Sequence, residues 1–102
     1  MKMGGSKMTI KKLELTDRII RREDISTTII DGELGMMSEK KGKYYTLDFI
    51  GTRVWELIEQ PLAVEELVIL LMKEYDVDRV TCEVDLLELL DKLIKEELIK
   101  KV

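Results

Sequence analysis

Histidine is absent from this 102-residue chain, which removes both the commonest metal ligand and the usual general base. Cysteine occurs once, at Cys82, so no intramolecular disulfide can form and no histidine stands ready to activate the thiol. Cys82 is expected to be a small buried or half-buried apolar residue. No apolar run approaches the roughly 18 residues that cross a membrane. The start, Met-Lys-Met-Gly-Gly-Ser-Lys, has no apolar signal region behind it. A cytoplasmic protein with no membrane partner is expected. An enzyme built from these residues would need a carboxylate or tyrosine site, and no pair of acids stands out from an ordinary solvated face. The expectation is therefore a chain with no catalytic residues, no metal and no cofactor.

What is present suits one globular domain. Hydrophobic residues make up 45% and charged residues 37%, and a chain of this length buries roughly 60 to 65% of its unfolded surface. Charge is unevenly spread. Residues 1–53 hold eleven Lys/Arg against eight Asp/Glu, while residues 54–102 hold six against thirteen. The acidic excess is densest from Glu74 to Asp91, a surface that repels phosphate backbones and favours a basic partner.

Hydrophobic periodicity changes from two to about 3.6 within Gly42 to Leu57. Tyr44, Tyr45, Thr46 and Leu47 read as a strand behind the turn residue Gly42. Asp48 then caps a helix of about Phe49 to Glu59 that buries Ile50, Val54, Trp55 and Ile58 and stops at Pro61. Upstream, residues 1–17 read as a flexible N-terminal segment ahead of a domain over 18–102. Lys11 to Asp24 is an extended arm or an edge strand. Ile25 to Ile30 is β-branched except at Ser26, and the turn signal Asp31-Gly32 leads into Glu33 to Ser38. Gly35 marks a possible bulge in a three-stranded antiparallel meander. Lys40, Lys41 and Lys43 are read as solvation that protects an exposed edge. Downstream, Val64 to Tyr75 forms a second helix that buries Leu67, Val68, Leu70, Leu71 and Tyr75, with Ala63 a poor cap. Thr81 caps a third helix running to about Ile94.

The third helix is apolar over more than one face. Val80, Val84, Leu87, Leu90 and Ile94 make an ordinary core stripe, and Cys82, Leu86, Leu89 and Leu93 widen it. One reading packs the helix between the sheet and the other helices. The other gives the second stripe a groove for an apolar partner, with Asp85 at its edge.

The pattern Gly42-x-Tyr44-Tyr45-x-Leu47-Asp48-x-Ile50-Gly51-x-x-Val54-Trp55-Glu56-Leu57, then Val64-Glu65-Glu66-Leu67, then Asp85-Leu86-x-x-Leu89-Leu90-x-x-Leu93, resembles the PqqD-like family. These are small domains that recognise the leader of ribosomally made, post-translationally modified peptides. The resemblance spans about residues 25–99 and implies an α+β, winged helix-turn-helix-like fold of three strands and three helices. It also implies that a precursor's leader peptide adds as a strand along Lys43, Tyr44, Tyr45, Thr46 and Leu47. That strand would pack on Leu86, Leu89, Leu90 and Leu93, with Asp85 near a leader Lys or Arg. The partners implied are the precursor and a modifying enzyme such as a leader peptidase or a radical SAM enzyme. The chain is most similar to the stand-alone leader-binding proteins of lasso-peptide clusters, with peptide chaperones of the PQQ or sactipeptide type as the alternative. It departs from the family at Asp48, where Asn is commoner, at Leu89, where an aromatic is common, and at Glu97, which replaces a glycine.

A winged-helix DNA-binding regulator shares this layout. Its recognition helix would carry Arg, Lys, Asn or Gln, whereas this third helix carries Glu83, Asp85, Glu88 and Asp91. Nucleic acid is therefore not an expected partner.

Overall fold

The computed structural model describes residues 13–102. Along them run β1 (Arg18–Arg21), β2 (Ile25–Ile30), β3 (Glu33–Ser38), β4 (Lys43–Leu47), α1 (Phe49–Leu57), β5 (Leu62–Ala63), α2 (Val64–Glu74), α3 (Arg79–Lys95) and β6 (Ile99–Lys101). The class is α+β, with β2-β3-β4 as the expected antiparallel meander. A second sheet of order β5-β1-β6, also antiparallel, was not legible in the sequence. Its strands are too short to show a period: β5 has two residues and β6 three.

The segment read as an arm or an edge strand supplies the centre of that second sheet. β1 pairs on both sides, and Ile19 is fully buried. Residues 13–17 are packed rather than free: Leu13 is only 6% exposed. The amides of Val64 and Glu65 donate to the carbonyls of Asp17 and Leu15, each at 2.9 Å. The domain thus reaches back beyond residue 18, because two apolar residues at a spacing of two bring their backbone onto the start of α2. The rest of the proposed flexible segment, residues 1–12, lies outside the described residues.

In the meander, Asp31 and Gly32 both have positive φ, 54° and 83°, which a two-residue hairpin turn with the strands' own twist requires. The β2–β3–β4 register runs through Gly35 without a bulge. Glycine instead lets the Tyr44 ring lie across it: a Cβ here would push the exposed Tyr44 hydroxyl aside.

α1 begins as expected, the Gly51 amide donating to Asp48 Oδ1 at 2.8 Å. Val54, Trp55 and Ile58 go inside, but Ile50 remains 39% exposed, because Gly51 and Thr52 hold the inward positions of the first turn. Leu70 and Tyr75 are likewise only half-buried. Ala63 offers no cap, and the Glu66 carboxylate instead reaches back to the Ala63 amide at 2.8 Å.

α3 starts earlier than a Thr81 cap would give. Asp78 is the cap, accepting from both the amide and the hydroxyl of Thr81. Its inward stripe is Cys82, Leu86, Leu90 and Leu93, while Val80 and Val84 are 69% and 52% exposed. The expected core stripe was therefore rotated from the true one: burying leucines removes more apolar surface from water than burying valines does. At the end of the helix Glu97 takes φ 61°. The Leu98 amide bonds Leu93 O and the Glu97 amide bonds Ile94 O, both at 2.9 Å. This is the Schellman geometry that usually selects glycine. Lys40 Nζ, 2.8 Å from Glu97 Oε1, holds the substituted side chain against the β3–β4 turn.

Candidate functional site

β4 is the outer strand of its sheet, and its backbone decides what that edge offers. Ile30 and Glu33 flank the two-residue turn and so form a hydrogen-bonded pair. Alternation from there turns Gly35 and Met37 toward β2, and Leu34, Met36 and Ser38 toward β4. A second observation agrees. The Leu34 amide donates to Thr52 Oγ1 at 3.0 Å, and that hydroxyl donates to Leu47 O at 3.3 Å. Thr52 is thus inserted into the last rung between β3 and β4. Lys43, Tyr45 and Leu47 face β3 with their backbone groups, and Tyr44 and Thr46 turn amide and carbonyl outward. Among the described residues nothing pairs with this edge.

A groove of about 610 Å³ runs between this edge and the C-terminal half of α3. Tyr45 and Leu47 form its strand wall, Leu89 and Leu93 its helix wall, and Met36 and Leu98 its floor. A second cavity of about 240 Å³ continues from it past Leu89, walled by Ile50, Val54, Leu71 and Leu86, with Asp85 among its lining residues. The expected site residues divide accordingly. Tyr45, Thr46, Leu47, Leu89 and Leu93 meet at the groove, and Asp85 and Leu86 belong to the second cavity. Leu90 is fully buried and lines neither, as a core residue does. Tyr44 points to the opposite face of the sheet, over Gly35. Lys43 stays exposed at the strand's start, 3.8 Å from Glu96.

Sequence reasoning missed the polar closure of the groove. The Tyr45 hydroxyl donates to Glu96 Oε1 at 2.5 Å. This bond, followed by burial, pushes the phenol up to about 12 and holds the Glu96 carboxyl below its ordinary value. Lys92 and Lys95 also line the groove. The spacing Leu89, Lys92, Lys95 along one helix edge was the available signal. Cys82 is buried beside Val68, and burial raises its thiol's pKa. Among the described residues no group of His, Cys, Asp and Glu could hold a metal ion, and no helix is long and apolar enough to cross a membrane.

Residues 33–99 match the family described as "Coenzyme PQQ synthesis protein D (PqqD)". The chain belongs to the PqqD family. Within it, the groove can be set beside solved relatives. A structure titled "TbiB1 in Complex with the TbiA(beta) Leader Peptide" is 34% identical over 79% of this chain and 94% of that one, with TM-score 0.72. A second, "Lasso peptide synthetase B1 complexed with the leader peptide", is 21% identical over 80% and 96%, with TM-score 0.62, and shares the fold. No curated protein matches. This PqqD-family chain thus matches two proteins solved with leader peptides over nearly their whole length.

Proposed function

We propose that this protein binds the leader of a ribosomally made precursor as a strand added to β4, and presents it to the peptidase and cyclase of a lasso-peptide pathway in the cytoplasm. The observation that carries the reading is the unpaired β4 edge beside an apolar groove, in a chain 34% identical to a protein solved with a leader peptide. Tyr44 and Thr46 each offer one amide and one carbonyl, and a net 0.5 to 1.5 kcal/mol per hydrogen bond is typical. Such pairing is indifferent to side chains. Specificity comes from the groove: leader residues opposite Tyr45 and Leu47 turn toward α3 and meet Leu89 and Leu93. Asp85 at the second cavity would favour a leader Lys or Arg, an exposed contact of about 0.2 to 1 kcal/mol. The protein supplies no chemistry of its own in this reading. It holds the leader while another enzyme cuts or closes the core peptide.

Calorimetry with a synthetic leader peptide, from the precursor encoded beside this gene, tests the reading. Affinity of roughly micromolar order or tighter is expected. Leu89→Asp, folded by circular dichroism, should weaken it at least about tenfold, or 1.4 kcal/mol. A folded Leu89→Asp protein that bound as tightly as the parent would remove the groove from recognition.

A further inference from the structure

The meander has two edges, and the leader needs one. The other belongs to β2, Ile-Ser-Thr-Thr-Ile-Ile, which has no charged residue, no proline and no bulge. Five of its six residues are exposed, Ile29 at 57%. Edge strands ordinarily carry lysine, proline or a bulge against pairing with another chain. β4 has Lys43 at its start; β2 has none of these devices.

The hydrogen-bond alternation that frees Tyr44 and Thr46 on β4 frees Ile25, Thr27 and Ile29 on β2. The side chains of these three share the meander's inner face with Leu34 and Met36, their neighbours on β3. Beside that edge lies a cavity of about 430 Å³ walled by Ile25, Thr27, Trp55 and Arg21. A strand added here would lay alternate side chains over it.

We propose that the occupant is a second copy of this chain, joined by an antiparallel β2–β2 ladder centred on Thr27. The strand is complementary to itself in that register. Thr27 faces Thr27 of the other copy, and Ile25 faces Ile29 on both sides of the two-fold axis. Ser26 faces Thr28, and Asp24 falls opposite Ile30, so no like charges meet within the strand; the one acidic pair of this register, Glu23 with Asp31, lies beyond it, where Asp31 has already entered its turn at φ 54°. All three outward residues of each strand are paired, and each exposed Ile29 enters the other copy's cavity. The contact is isologous and closes at two subunits. It makes one six-stranded sheet, β4-β3-β2-β2-β3-β4, with a leader-binding edge at each far end.

Sedimentation of the full chain between about 5 and 500 µM tests this, a range that takes in weak, concentration-dependent dimers. The amides of Ile25, Thr27 and Ile29 should exchange more slowly as concentration rises. Thr27→Pro removes an outward donor and leaves the β3 ladder intact, so it should be folded and monomeric. Ile29→Lys changes an exposed side chain, should also be monomeric, and decides the matter if Thr27→Pro fails to fold. A parent monomeric throughout, or a dimer that survives Ile29→Lys, overturns the proposal. So does a dimer lost in Thr46→Pro and kept in Thr27→Pro, which would place the contact on β4.

Discussion

Thr52 shows how much of this site hangs on one hydroxyl. Buried at 7% exposure, it accepts from the Leu34 amide and donates to Leu47 O, completing the rung that joins the meander to α1. Thr52→Val keeps the shape and strands both backbone groups in a dry interior. A loss of about 1 to 3 kcal/mol is expected by urea denaturation, with most of it recovered in Thr52→Ser. An unchanged midpoint in the valine variant would mean that water reaches this rung. The sequence disclosed Asp48 and hid Thr52 for a physical reason. A cap acts within one turn, so its spacing to Gly51 is readable. Thr52 serves a strand eighteen residues earlier in the chain, and nothing local marks it. Glu97 lay between these cases, since its strained φ was foreseeable only from a family glycine, and its compensating Lys40 belongs to a distant turn.

Among the elements, β4 was the most legible, the short β5 and β6 were not legible at all, and α3 was readable as a helix but not for the face it buries. Aromatic and β-branched residues behind a glycine announce a strand, and the turn residues Asp31-Gly32 fix the register that decides which amides are free. α3 is apolar around so much of its circumference that periodicity alone could not choose its inward face. The structure chose the leucines, leaving Leu89 half-exposed between two cavities and Val80 and Val84 in solvent. The register makes a sharp pair of substitutions. Thr46→Pro deletes an outward donor and should leave the fold intact while reducing leader affinity at least about tenfold. Tyr45→Pro deletes a donor that faces β3, breaks a ladder bond, and should destabilise the protein itself. Thermal melts and leader calorimetry on both variants separate the two. Equal affinity in the parent and a folded Thr46→Pro would show that the leader does not pair at that amide.

Over the whole molecule, several basic residues of the first half pair with acids of the second half, chiefly at the end of α3 rather than within the acidic stretch from Glu74 to Asp91. Lys40 pairs with Glu97, Lys41 and Lys43 with Glu96, and Arg53 with Glu74. The first three draw the end of α3 against β4 and close the groove where the Tyr45–Glu96 bond lies. Glu96 is held below its ordinary value first by the Tyr45 hydroxyl, and Glu97 first by Lys40. A carboxylate depressed in the folded state stabilises above its unfolded value, and that contribution is lost as pH falls through the folded one. The melting temperature should therefore decline below about pH 4.5, where free carboxylates begin to protonate, and Glu96→Gln should flatten that acid limb. Tyr45 has the opposite sign. Its raised value favours the neutral phenol, so its contribution is complete below about pH 10, the unfolded value, and is lost as pH rises toward about 12. Phenolate absorbance should show one of the three tyrosines ionising near pH 12 in the parent. In Glu96→Gln that step should move down toward about 10, the ordinary tyrosine value. If the late step stays put in Glu96→Gln, Glu96 does not hold the Tyr45 proton, and the polar closure of the groove must rest on the lysines alone.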